Sequence, residues 1–106
     1  MGLVKEVYRC SQGFPKTELY GLTAQIRRAA VSVPSNIAEG QGRLSTGEFK
    51  QFLGHARGSL LEVERQILVA ESLGYLAPEE SEIVLRCSSD VGRVLNGLIA
   101  SLPSHR

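Results

Sequence analysis

The chain has 106 residues, the length of one domain, and reads as a single unit over residues 1–106 with no room for a second. Hydrophobic residues make up 42% and charged residues 22%, a balance that excludes a disordered chain and permits a small core. Twelve Lys and Arg against eleven Asp and Glu leave a net charge of +1, far from the basic balance of a protein that coats nucleic acid.

Pattern and punctuation predict an all-helical chain, since no run alternates as a strand does. A first, short helix is expected at about Leu3 to Ser11, with Leu3, Val4, Val7 and Tyr8 on one face, ended by Gly13-Phe14-Pro15. A second should start after Thr17 or Thr23, either of which can accept a backbone N–H as N-cap, and stop at Gly40 to Gly42. At 100° per residue Leu19, Leu22, Ile26, Ala29, Val33 and Ile37 form its core face. Pro34, without an N–H, predicts a kink or a loosened turn.

Ser45-x-x-Glu48 reads as a capping box opening a third helix of about seven turns, closed by Gly74. Its core stripe, Phe49, Phe52, Leu53, Ala56, Leu60, Val63, Ile67 and Ala70, steps by threes and fours as a left-handed bundle requires. A fourth helix follows Pro78, with Glu79, Glu80 and Glu82 at the positive end of its dipole. Its inner face is expected at Val84, Cys87, Val91, Val94, Leu95, Leu98 and Leu102, and Pro103 stops it. Short links between long amphipathic helices imply antiparallel neighbours, hence an up-and-down antiparallel four-helix bundle with a short first helix.

Two helices carry apolar residues away from the core. Ala24, Val31 and Ala38 recur every seven residues on the far side of the second helix; Gly54, Gly58, Leu61 and Leu68 lie well round from the core stripe of the third. The glycines, four apart, would let another backbone approach. These two seams predict self-association as a homo-oligomer. Residues 1–57 carry +4 and residues 58–106 carry −3, opposite signs that suit a head-to-tail ring. The first half also supplies a local basic set, Arg27, Arg28, Arg43, Lys50 and Arg57, which reads as a polyanion contact, as arginines that stitch subunits together against Glu62, Glu64 or Glu71 of a neighbour in a purely structural oligomer, or as solvated helix faces with internal ion pairs.

Sites of chemistry are not evident. His55 and His105 are far apart, and neither has a ligand-like neighbour at helical spacing, so no metal is expected. Cys10 and Cys87 lack a CxxC spacing and read as two reduced, half-buried thiols rather than a disulfide framework or zinc site, Cys87 packing on its helix's core face. Gly40-Gln41-Gly42 lacks the Lys-Ser/Thr of a phosphate loop. A helical ribonuclease of the HEPN type needs an Arg and a His on one helix with four to six residues between them, whereas Arg43 and His55 are twelve apart. Asn36, Glu39 and Arg43 form one polar cluster: Glu39 can pair with Arg43, and Asn36 can fix helix register or bond the carbonyl freed by Pro34. The expectation is a protein that is not an enzyme and needs no cofactor. Met1-Gly2-Leu3-Val4-Lys5 lacks a signal peptide's apolar core, and the longest stretch free of Lys, Arg, Asp and Glu, Val94 to His105, is too short to span a bilayer. A cytoplasmic protein with no membrane partner is therefore expected.

The run from Tyr20 to Gly40, Tyr-Gly-Leu-Thr-Ala-Gln-Ile-Arg-Arg-Ala-Ala-Val-Ser-Val-Pro-Ser-Asn-Ile-Ala-Glu-Gly, closely resembles the signature of the bacterial four-helix-bundle proteins encoded in 23S ribosomal RNA intervening sequences. Phe14-Pro15, Glu48-Phe49, Phe52-Leu53, Ala56-Arg57-Gly58-Ser59-Leu60, Glu62, Glu64 and Leu73-Gly74-Tyr75-Leu76 extend the match over nearly the whole chain. The first helix departs from the pattern, being about two turns shorter than is usual in the family. The resemblance implies a four-helix bundle, a homopentamer and no established catalytic activity. Accessory proteins of diversity-generating retroelements look similar and imply binding to nucleic acid or to a nucleic-acid-handling protein. A pentamer of +1 protomers carries only about +5, little for phosphate-dominated binding. From the shared residues, Arg27, Arg28 and Arg57 carry over as RNA contacts.

Overall fold

A computed structural model describes residues 2–103. Four helices, α1 (Gly2–Ser11), α2 (Leu22–Gln41), α3 (Thr46–Ser72) and α4 (Pro78–Ser101), follow one another, with a single 3-10 turn at Lys16–Glu18 before α2. Among the described residues α2 packs on α3, α3 on α4, and α1 against both α2 and α4. The order around the bundle is therefore α1-α2-α3-α4, the up-and-down arrangement expected of short links.

Local chemistry sets the helix ends. Ser45 accepts the Glu48 N–H at 3.1 Å and opens α3. The return half of the capping box differs from expectation: the Glu48 carboxylate accepts the Ser45 hydroxyl at 3.2 Å rather than a backbone N–H. Gly74, at φ +79°, closes α3 with the Gly74 N–H on the Glu71 carbonyl and the Tyr75 N–H on the Ala70 carbonyl, the left-handed cap that glycine adopts without strain. The Glu80 carboxylate accepts the Ala77 N–H at 3.1 Å at the start of α4.

The start of α2 corrects the sequence reading. Neither Thr17 nor Thr23 caps it: Thr17 lies in the 3-10 turn and Thr23 is buried inside the helix. Gly21 holds the N-cap position, and the Glu18 carboxylate reaches forward to accept the Leu22 N–H at 3.2 Å. Leu19, expected on the core face, consequently precedes α2 and is half exposed. The helix runs unbroken across Pro34. Asn36 donates to the Ser32 carbonyl at 2.8 Å, so it supports the turn containing Pro34 without reaching the Ala30 carbonyl that the proline frees.

The core is drawn from all four helices: Leu3 and Val7 of α1, Ile26, Ala30 and Val33 of α2, Leu53 to Ala70 of the α3 stripe, and Val84 and Leu95 of α4. Burying such side chains contributes about 1.5–3 kcal/mol each relative to exposure. At the end of α2, Gly40 is required by close packing, since a Cβ there would lie 2.8 Å from Phe52 Cβ.

Two expected inner residues of α4 are exposed, Val94 at 64% and Leu98 at 36%. Cys87 and Val91 of the same flank pack against the core. The difference follows from length: α1 has 10 residues and spans about 15 Å, against about 36 Å for α4. With Cys10 near Glu80 and the chains antiparallel, α1 runs out near the middle of α4. Beyond it an apolar groove of about 210 Å³ opens over Ile37, Val91 and Val94. Tyr8, expected on the packing face of α1, is 41% exposed and lies under Arg27. Ser81 and Ser88 fill core positions of α4 that the apolar pattern alone passes over.

Candidate oligomer interface and basic residues

The α2 seam lies on the flank toward α1. Ala24 is half-buried, and Val31 and Ala38 are exposed. With Tyr8, Leu19 and Tyr20 they border a shallow, mainly apolar hollow of about 690 Å³, except that Ala38 lies beyond its end. Tyr20, 93% exposed, has no hydrophobic period to announce it because it precedes the helix.

The α3 seam is divided: Leu61 and Leu68 stand on the side of Arg57 and Glu64, which reach α4, whereas Gly54 and Gly58 border the groove between α2 and α3. Leu61 and Leu68 are about half exposed and stand seven residues apart. A Cβ at Gly54 or Gly58 would meet nothing within 4 Å, so packing inside the chain gives no reason for either glycine, although each costs the helix about 1 kcal/mol relative to Ala. Since α2 and α3 are direct neighbours, the α2 seam on its α1 side and Leu61 and Leu68 on the α4 side of α3 face away from each other. Between them lies an open groove of about 590 Å³ bordered by Arg28, Ser32, Gly54, His55, Gly58 and Glu62.

The five basic residues do not gather on one face of the chain. Arg27 is half-buried, its Nε donating to Ser11 Oγ at 2.8 Å and its guanidinium stacked 4.7 Å from the centroid of the Tyr8 ring, which ties it to α1. Arg57 donates to Asn96 Oδ1 of α4 at 3.2 Å, on the other flank. Arg28 is exposed and borders both the seam hollow and the α2–α3 groove. Arg43 pairs with Glu39 at 2.8 Å and covers the Phe52 ring at 4.8 Å, as the spacing of four predicted for the ion pair. Lys50 is half-buried on α3, seven residues before Arg57.

The remaining polar groups are tied into the fold. Burial among apolar residues pushes the Cys10 thiol up to about 11, with the carboxylates of Glu80 and Glu6 acting the same way. Its Sγ donates to the Val7 carbonyl at 3.4 Å. Cys10 and Cys87 are both free thiols. His55 sets its ring edge against Phe52 at 5.6 Å, whereas His105 lies outside the described residues. Among the described residues no cluster of three or more His, Cys, Asp and Glu could hold a metal ion, and no helix is long and apolar enough to cross a membrane. Glu64 accepts the hydroxyl of the buried Ser88 and so joins α3 to α4.

An antiparallel four-helix bundle with apolar residues left exposed on α2 and α3 defines a small helical-bundle protein. Residues 1–97 match the family described as 23S rRNA-intervening sequence protein, and the chain belongs to that family. Among curated proteins no relative matches.

Proposed function

We propose that the protein is a non-catalytic subunit of a homo-oligomeric ring, a pentamer, assembled head to tail and acting as a structural scaffold in the cytoplasm. The observation that carries this reading is the placement of the α2 seam and of the exposed Leu61 and Leu68 of α3 on flanks that face away from each other. A two-fold dimer covers one seam twice and leaves the other bare, whereas a cyclic head-to-tail contact covers both. The family resemblance of the Tyr20–Gly40 run supplies the number five. Free thiols at Cys10 and Cys87 accord with a reducing compartment. The non-catalytic part of the reading is supported by the structural employment of Cys10, Asn36 and Glu39. Sedimentation equilibrium at micromolar concentration tests the assembly: five protomers are expected, and a monomer overturns it. Metal-independent RNA cleavage lost on His55→Ala would overturn the non-catalytic part.

A second reading, a ring that binds RNA or a nucleic-acid-handling protein, is favoured by Arg28, Lys50 and Arg57, which have no carboxylate within ion-pair distance among the described residues. Titration with RNA at low and moderate salt distinguishes the two, because phosphate-dominated binding collapses as salt is raised.

A further inference from the structure

We infer that α2 of one copy packs antiparallel on α3 of the next, with Ala24 opposite Leu68, Val31 opposite Leu61, Ala38 opposite Gly54, and an ion pair between Arg27 and Glu64 across the junction. This rests on the ring reading above and names the surfaces that close it.

Three features of the chain lead to this pairing. The two seams share one period: Ala24, Val31 and Ala38 on α2 and Gly54, Leu61 and Leu68 on α3 each recur every seven residues. Seven residues rise about 10 Å along a helix, so three layers fall in register along the contact. Opposite directions are required, because α2 and α3 are antiparallel within a copy, and a ring axis running along the bundle gives every copy the same orientation.

The small Ala24 meets the large Leu68, Val31 meets Leu61, and the Ala38–Gly54 layer brings the two backbones close. Here Gly54, which no intrachain contact requires, acquires a reason.

Charge is complementary on one edge of the seam. Arg27 sits three residues after Ala24 on the α1 side of α2, and Glu64 three residues after Leu61 on the α4 side of α3. In the antiparallel register the two lie at the same height, and α1 of one copy stands beside α4 of the next, which puts both on the same edge. Each is already oriented by its own copy, Arg27 by Ser11 and Tyr8 and Glu64 by Ser88. Ser11 takes only the Nε of Arg27 and Ser88 only one oxygen of Glu64, so Nη groups and the second carboxylate oxygen remain for the neighbour.

The test is a charge swap in the full chain, read by sedimentation equilibrium with circular dichroism as the check on folding. Arg27→Glu and Glu64→Arg should each weaken assembly by about tenfold or more, and the double variant should recover most of the loss, as expected for a close interfacial pair. Because Arg27→Glu also removes the Tyr8 and Ser11 contacts, a second experiment keeps the inference exposed if that variant unfolds. Val31→Cys and Leu61→Cys together should form disulfide-linked ladders between copies under mild oxidation, while Val31→Cys alone should not. A wild-type oligomer that shows neither charge-swap recovery nor ladders overturns the seam and leaves the ring reading standing. Cross-linking of Val31→Cys alone places α2 against α2 and overturns both. A wild-type monomer removes the ring itself.

Discussion

Glu18 joins the start of α2 to Tyr75, 57 residues further along the chain, through one carboxylate. Oε1 of Glu18 accepts the Leu22 N–H at 3.2 Å and caps α2, while Oε2 accepts the Tyr75 hydroxyl at 3.0 Å beyond the end of α3. The Tyr75 ring packs against Phe14, with centroids 5.8 Å apart, so the link before α2 and the link before α4 meet at this point.

Glu18→Ala should therefore cost about 1–2 kcal/mol, the range of a lost N-cap together with an unsatisfied partner. Glu18→Gln, which keeps an acceptor, should cost less. Chemical denaturation of the two variants beside wild type measures the difference, and equal losses would show that the carboxylate does not act as the cap.

Donating to Glu18 holds the Tyr75 hydroxyl above its ordinary value of 10, with burial and the Glu18 charge acting in the same direction. The folded state thus favours the protonated phenol. Its contribution is fully present below pH 10 and is lost as pH rises through the higher folded value. Thermal unfolding followed upward from pH 9 should show an alkaline loss of stability that is reduced in Tyr75→Phe.

Helix number, direction and most of α2 and α3 were legible in the sequence because an apolar stripe of period 3.6 is a direct record of one-sided burial. Glu18 was not, because a cap offered from three residues before the N-cap breaks the usual rule that the N-cap side chain does the work. On α4 the stripe was read one flank too far toward α1. Ser81 and Ser88 occupy buried positions that a hydrophobicity pattern treats as gaps, and Val94 and Leu98 look internal because the slot they face is filled only along the length of α1. The seams were visible as heptads, but the placement of Leu61 and Leu68 away from the α2 seam, and of Gly54 and Gly58 beside the α2–α3 groove, needed the order of the helices. The five cations looked like a patch only while their partners, Ser11, Tyr8 and Asn96, were unseen.

The misread Val94 and the correctly placed Leu95, neighbours in sequence, make opposite stability predictions. Val94→Gln should change the stability of the isolated bundle by less than about 0.5 kcal/mol, as at other exposed sites, whereas Leu95→Ala, which empties a fully buried position, should cost about 2–5 kcal/mol. A large loss for Val94→Gln would place that side chain inside.

The two buried serines of α4 differ in the same way. Ser81 Oγ has no hydrogen-bond partner among the described residues, while Ser88 donates to Glu64. Ser81→Ala removes an unpaired buried hydroxyl and should leave stability unchanged or raise it by up to about 1 kcal/mol; Ser88→Ala strands a half-buried carboxylate and should lower it by about 1–3 kcal/mol. Urea unfolding of both variants checks the order, and a reversed ranking would contradict the hydrogen-bond assignment.

Gly54 separates the needs of the fold from those of assembly. In the middle of α3, with nothing within 4 Å of where its Cβ would be, it weakens the helix without serving the core. Gly54→Ala should therefore raise the stability of the dissociated chain by about 0.5–1 kcal/mol through helix propensity. In the antiparallel seam the same position meets Ala38 of the next copy, where the added carbon pushes two backbones apart. Assembly should then weaken although the subunit has gained stability, and Gly54→Leu should exaggerate the effect. Thermal unfolding at a dilution where the protein is dissociated, paired with sedimentation at higher concentration, reads the two quantities separately. If Gly54→Leu assembles as tightly as wild type, Gly54 lies outside the contact and the register of α2 on α3 is wrong.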